Sequence, residues 1–347
     1  MLVKNSKLQI ANATIHPGET LSLALPLPEL FSYASLYMPI KVMHGKKAGP
    51  CLLVTAAIHG NALNGTEIIN RLLMINELKR LQGTLIAIPV VNVHGFMNRS
   101  SVLPDGVDLH RCFPGSKEGT HAERMANLFV NEIFSKADVC IDLQTGFINY
   151  SNLPQIYVNF NDEKSKQLAK AFNAPIISDI AQIEGTLHKV AEENKKPFLL
   201  YEAGEALRFD ESSIKTGVKG ILNVMRKLEM LPPKISKKEN LLKSFFTEKN
   251  IWVRSPTSGI SRSQHSLGHY VKKNALLCTI QDPFSSAGTV EVRSPEESII
   301  VGKNSLPLVH EGEALYQLAV FPKMDHTSTH LKDWEEQSAE NGVSILS

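Results

Sequence analysis

Residues 51–73 read CLLVTAAIHGNALNGTEIINRLL, and the change of texture within them decides the fold. CLLVTAAI carries no regular polar alternation, as expected of a strand covered on both faces. The loop HGN follows. From Thr66 the spacing turns helical: Ile68, Ile69, Leu72 and Leu73 share one face, and the Thr66 hydroxyl is expected to cap the start. A buried strand leading through a short loop into an amphipathic helix is the repeating unit of a parallel sheet. His59 stands at the carboxyl end of that strand, where a side chain can hold a metal over the sheet. A second ligand is expected within a few residues on the same loop, yet position 62 is alanine.

Outward from this unit the pattern repeats to about residue 230. TLIAIPVVN, DVCIDLQ, PQIYVNF and PFLLYEAG read as further buried strands, and HAERMANLFVNEIFSKA, KSKQLAKAFN and ESSIKTGVKGILNVMRKLEML as helices between them. At PPKISKKEN (232–240) two prolines and a cationic run predict a linker. Short strand-like runs with Gly, Pro, Ser and Asn between them then predict a small all-β module. The expected organisation is an N-terminal segment (1–39), an α/β domain (40–231), the linker, a β module (241–322) and a polar tail (323–347).

Composition narrows the function classes. With 347 residues and 43% hydrophobic content the chain can bury a sizeable core. A net charge of +2, with Lys and Arg spread along the chain, argues against nucleic acid and membrane surfaces as partners. No apolar run is long enough to span a bilayer, and the start MLVKNSKLQIANATI does not read as a secretion signal, so a cytoplasmic location is expected. Cys51, Cys112, Cys140 and Cys278 form no CxxC pair and read as free thiols.

Sites in such sheets form beyond the carboxyl ends of the strands. Four ends attract notice: HGNALNG, the long loop 93–116 (expected to be unstructured), the end of DVCIDLQTG with Asp142 and Gln144, and YEAGE with Glu202 and Glu205. A histidine, an arginine and several carboxylates on one rim suit metal-assisted hydrolysis.

Together His59-Gly60-Asn61, VVNVHGFMNRS, LPDGVDLHRCFPGS, IDLQTG, NLPQ and YEAGEALRFDE resemble the succinylglutamate desuccinylase/aspartoacylase family. The resemblance runs from about residue 40 to 320 and includes SPTSGI, LGHYVKKNALLCTI and LVHEGEALYQLA in the C-terminal module. It implies a zinc-carboxypeptidase-like α/β fold, mainly a parallel sheet flanked by helices, followed by a small C-terminal β-barrel. It also implies zinc-dependent hydrolysis of the amide bond of an N-acyl amino acid, with one zinc per chain and a small carboxylate ligand; a homo-oligomer is compatible with it.

Carried over, His59 is the first zinc ligand of an HGxE-type motif. Ala62 holds the place of its glutamate, and Gln144 that of the histidine in an IDLHTG-type motif. Neither replacement is a good zinc donor, since a methyl group cannot coordinate and an amide oxygen is weak. His110 replaces the asparagine that helps hold substrate in a DLNR motif and so falls in the substrate-binding set, Arg111 is kept to pair a substrate carboxylate, and Glu202 matches the general base. Ser101 and Val102 stand where many relatives carry an arginine.

Each residue also has a plainer reading. His59 can serve by hydrogen-bonding its loop. His110 either fills the asparagine's space or rebuilds a His59/His110/Glu202 site, and Arg111 either binds substrate or the loop's own carbonyls. Glu67 reads as a solvated or capping carboxylate, and His94, His121 and His188 as surface or satisfied histidines. Two function classes follow: a metal-dependent deacylase with an altered site, or a catalytically inactive member acting as a binding or regulatory module.

Overall fold

In the computed structural model, which describes residues 4–29, 35–233, 244–284 and 288–322, the apolar strands lie between two layers of helices. After a short N-terminal hairpin (Leu8–Ile10 with Ala13–Ile15), eight strands precede the C-terminal part: β1 (Thr20–Pro26), β2 (Tyr37–His44), β3 (Cys51–Ala56), β4 (Thr84–Ile88), β5 (Val139–Gln144), β6 (Tyr150–Val158), β7 (Ile176–Asp179) and β8 (Phe198–Gly204). The helices are α1 (Leu63–Leu73), α2 (Val93–Asn98), α3 (His121–Glu132), α4 (Glu163–Phe172), α5 (Leu187–Glu193) and α6 (Glu211–Lys227). β4, β3, β5 and β8 run side by side and parallel. β2 joins antiparallel at β4, and β6 antiparallel at β8. The fold is therefore mixed α/β around a mostly parallel core, in the zinc-carboxypeptidase-like class that the motifs imply.

The period-two geometry of a strand explains the unbroken apolar runs. Leu52, Val54 and Ala56 join one core with Ile141, Leu143, Leu199 and Tyr201, covered by Ile68, Ile69 and Leu72 of α1 and Ile214, Val218 and Ile221 of α6. Leu53, Ile86, Ile88, Cys140 and Leu200 point the other way, into a second core with Met125 and Phe129 of α3 and Leu187 and Val190 of α5. Both faces are dry, so a polar residue within a strand would be buried on either side. Each large aliphatic side chain taken from water here contributes about 1.5–3 kcal/mol.

The C-terminal strands are antiparallel: β9 (Lys249–Arg254), β10 (Gly259–Ser263), β11 (Leu276–Gln281), β12 (Val290–Arg293), β13 (Ser298–Asn304) and β14 (Ala314–Val320). β9, β14 and β13 extend the main sheet, since β13 pairs with β6 from Gly302↔Asn152 to Asn304↔Tyr150. β10, β11 and β12 belong to a separate small sheet. From residue 234 the expected linker lies outside the described residues, as does the expected tail.

Two local expectations are corrected. α1 begins at Leu63, with Ala62 at the N-cap and no side-chain cap. The Thr66 hydroxyl instead donates to the Pro89 carbonyl at 2.8 Å, tying α1 to the segment after β4. The loop 93–116 is not unstructured. Asn92 caps α2 by accepting from the Gly95 N–H, and Asp108 caps a short 3₁₀ turn over Leu109–Arg111 by accepting from the His110 N–H. Asn and Asp at these positions offer the side-chain acceptor that such starts need.

Candidate functional site

The carboxyl ends of β3, β5 and β8 bring the residues singled out above onto one rim. Gln144 ends β5 and is paired in register with Glu202 of β8. His59 lies on the loop after β3, which is pinned when the Val91 and Asn92 N–H groups donate to the Ala56 and Ala57 carbonyls. Gly60 is required there: a Cβ would stand 2.0 Å from the Gly95 carbonyl carbon. The loop therefore rests directly on α2.

His59 Nε2 donates to Asp108 Oδ1 at 3.0 Å, and the His110 backbone N–H donates to the same oxygen at 2.9 Å. Burial pushes the Asp108 carboxyl up, but these hydrogen bonds and the nearby histidines outweigh it and hold the group below the usual carboxylate value. The bond fixes the orientation of the His59 ring, an arrangement equally suited to a metal ligand and to a purely structural histidine.

Gln144 is held through its amide nitrogen. Nε2 donates to Asp142 Oδ2 at 2.7 Å and faces His110 Nδ1 at 3.4 Å. The other Asp142 oxygen accepts from the Thr55 hydroxyl at 2.7 Å. Burial raises the Asp142 pKa against these two bonds. Burial, with the charge of His59 adding, also pushes His110 down to about 3. The imidazole is therefore neutral at physiological pH, and its Nδ1 lone pair can accept from Gln144. The His59 and His110 rings stand 5.3 Å apart, with His188 6.2 Å beyond His110.

Burial pushes Glu202 up to about 7, with His59 pulling the other way. Its Oε1 takes a short hydrogen bond from Asn152 Nδ2. Asn152 comes from β6, opposite Gly204 of β8 and Gly302 of β13. A Cβ at Gly302 would lie 2.6 Å from Asn152 Oδ1, so the C-terminal strand leaves the space this residue occupies. Glu205 plays a different part: it accepts from the Asn149 N–H and the Ser151 hydroxyl, knitting neighbouring loops. Arg111 is exposed, and its guanidinium makes no hydrogen bond or ion pair with a described residue, so the expectation that it binds the loop's carbonyls is not met.

Two plainer readings change with the structure, that of Glu67 and that of the three histidines. Glu67 forms an i,i+4 ion pair with Arg71 at 2.7 Å. His188 is buried, with Nε2 bonded to Thr186 Oγ1 and the Ala181 carbonyl, while Nδ1 has no partner among the described residues. His94 is buried as well, and the shielded Nε2 atoms of both His94 and His121 lack a partner among the described residues. His94 and His188 are therefore buried and not surface residues. Among the described residues, no three His, Cys, Asp or Glu side chains are grouped so as to hold a metal.

Asp108 and Asn152 were not singled out from sequence. Asp108 carries a local signal, as an aspartate two residues before the backbone N–H that it caps. Asn152 opens the NLPQ stretch quoted above, but its bond to Glu202 exists only once β6 lies against β8.

The profile of the succinylglutamate desuccinylase/aspartoacylase catalytic domain matches residues 48–228. An N-alpha-acetyl-L-2,4-diaminobutyric acid deacetylase of Halomonas elongata is 22% identical over 298 residues, covering 83% of this chain and 87% of the relative. The crystal structure of a succinylglutamate desuccinylase/aspartoacylase from Rhodobacter sphaeroides superposes with a TM-score of 0.79 at 21% identity, over 88% of this chain and 96% of that one. The product-bound structure of the ectoine utilization protein EutE (DoeB) from Ruegeria pomeroyi gives 0.77 at 24% identity, over 87% and 95%.

Proposed function

The chain belongs to the succinylglutamate desuccinylase/aspartoacylase family, and from that premise we propose that its site binds a small N-acyl amino acid or similar carboxylate without the family's zinc-dependent hydrolysis. The observation that carries this reading is the donor chemistry of the rim. A catalytic zinc takes three protein ligands and leaves one position open. Here His59 offers one imidazole, Ala62 a methyl group, and Gln144 an amide whose nitrogen is engaged by Asp142. This set does not fit zinc. A rebuilt trio of His59, His110 and Glu202 is the alternative that keeps the chain a hydrolase.

What remains suits binding. Arg111 can pair a carboxylate with two parallel hydrogen bonds. Neutral His110 accepts through Nδ1, which leaves its Nε2–H as a donor. Glu202, titrating near 7, can donate to a ligand carbonyl when protonated. The Halomonas elongata relative, named for deacetylation of N-acetyl-diaminobutyrate, supports an N-acetyl amino acid as the first ligand to try.

The test pairs calorimetric binding of N-acetyl-L-2,4-diaminobutyrate, in chelator, with zinc titration of four proteins. The wild type should bind the ligand in chelator and release no acetate with or without zinc, and Arg111→Ala should weaken binding at least about tenfold. His59→Ala should leave zinc uptake unchanged. Ala62→Glu/Gln144→His should gain one zinc per chain over the wild type. Zinc-dependent acetate release by the wild type, abolished by His59→Ala, would overturn the proposal in favour of the rebuilt trio.

A further inference from the structure

We propose that His94 and His121 form a second, separate site for a divalent transition metal of the zinc, nickel and copper class. His94 follows the α2 cap and is 4% exposed, and His121 opens α3 and is half-buried. Their rings stand 5.4 Å apart at 68°. The Nε2 atoms of both are shielded from solvent and have no hydrogen-bond partner among the described residues. Two shielded imidazole nitrogens on adjacent rings are the donor set that a borderline divalent cation takes.

The geometry suits a cation. Two imidazoles bound through Nε2 at ordinary zinc–nitrogen lengths and a tetrahedral angle hold their ring centres about 5 Å apart. Burial lowers the proton affinity of both rings, and the charge of His121 adds to this at His94, so both are presented as neutral ligands. Asp105 is the carboxylate whose field acts on His121. It opposes the positive end of α3, which by itself disfavours a cation. With two protein ligands the remaining positions fall to water, consistent with the lack of any three-residue cluster among the described residues.

Such an ion would bridge α2 to the start of α3. α2 is the element on which Gly60 rests. The 93–116 segment between the two helices carries Asp108, His110 and Arg111. The bridge would therefore brace the loop that presents the site without touching the ligand.

The experiment is zinc chloride titration, by competition with a chromophoric chelator, of the metal-stripped wild type, His121→Gln, His94→Gln and His59→Ala. One zinc per chain is expected for the wild type and for His59→Ala. The His121 and His94 variants should lose more than about tenfold in affinity. The melting temperature of the wild type should rise with zinc and that of His121→Gln should not. If buried His94→Gln fails to fold, His121→Gln, at a half-exposed helix start, still decides. A wild type that takes up no zinc would show that a water bridges the rings. Equal uptake by a folded His121→Gln would place the metal elsewhere. Uptake lost only in His59→Ala would contradict the proposed function and this site together.

Discussion

At the scale of single residues, Glu202 is the sharpest test of the site's electrostatics. Its folded pKa is about 7 against an ordinary 4.5, so the folded chain holds a proton there that the unfolded chain has released. That contribution is complete below about pH 4.5 and is lost as pH rises through 7. Between those limits the wild type should lose about 2–3 kcal/mol that Glu202→Gln does not lose, since glutamine keeps an acceptor for Asn152 and cannot ionise. Urea unfolding of both proteins across this pH range checks it, and parallel curves would mean that the carboxyl titrates as an ordinary one. Ala62 was legible as an anomaly from the loop alone, because chemistry excludes a methyl as a ligand whatever the fold. The partner of Gln144 was not legible: Asp142 lies two residues away on the same strand, but Thr55 and His110, which complete the network, arrive from other elements.

At the scale of elements, the contact between the β3–α1 loop and α2 sets where His59 stands. Gly60→Ala would drive a Cβ into the Gly95 carbonyl carbon and the Phe96 nitrogen at 2.0 and 2.1 Å. Backbone cannot swing aside as a flexible side chain can, so a loss of about 3 kcal/mol is expected. Thermal denaturation reads it directly, and an unchanged melting temperature would show that α2 does not seat on the loop. The identities of β3 to β6, β8, α1, α3, α4 and α6 followed from periodicity, whereas β1, β2, β7, α2, α5 and the start of α1 did not. Its first turn, Leu63-Asn64-Gly65, reads as loop by composition. Packing overrides that, since Gly65 fits closely against Ala56 and Leu143 and Asn64 Nδ2 donates to the Ala203 carbonyl.

At the scale of the molecule, β13 makes the C-terminal strands part of the sheet that carries the site. Its pairing with β6 continues through β8 to β5 and β3. A chain ended at residue 233 would expose the Tyr150–Asn152 part of the β6 edge, the rest staying paired with β7, and would loosen Asn152 and with it Glu202. We expect such a fragment to melt without a cooperative transition or to aggregate, as an unprotected apolar edge does. A soluble fragment with a sharp calorimetric transition would instead mean that the two parts fold independently. Sequence by itself determined the α/β architecture, the rim at the carboxyl strand ends and the methyl and amide side chains that positions 62 and 144 place there. Hydrophobic period and ligand chemistry are properties of the residues themselves. Only the tertiary structure decided that Asp108 orients His59, that Asn152 meets Glu202 and that His94 faces His121. Those pairs are separated by dozens of residues, and only the packing of particular elements brings them within reach.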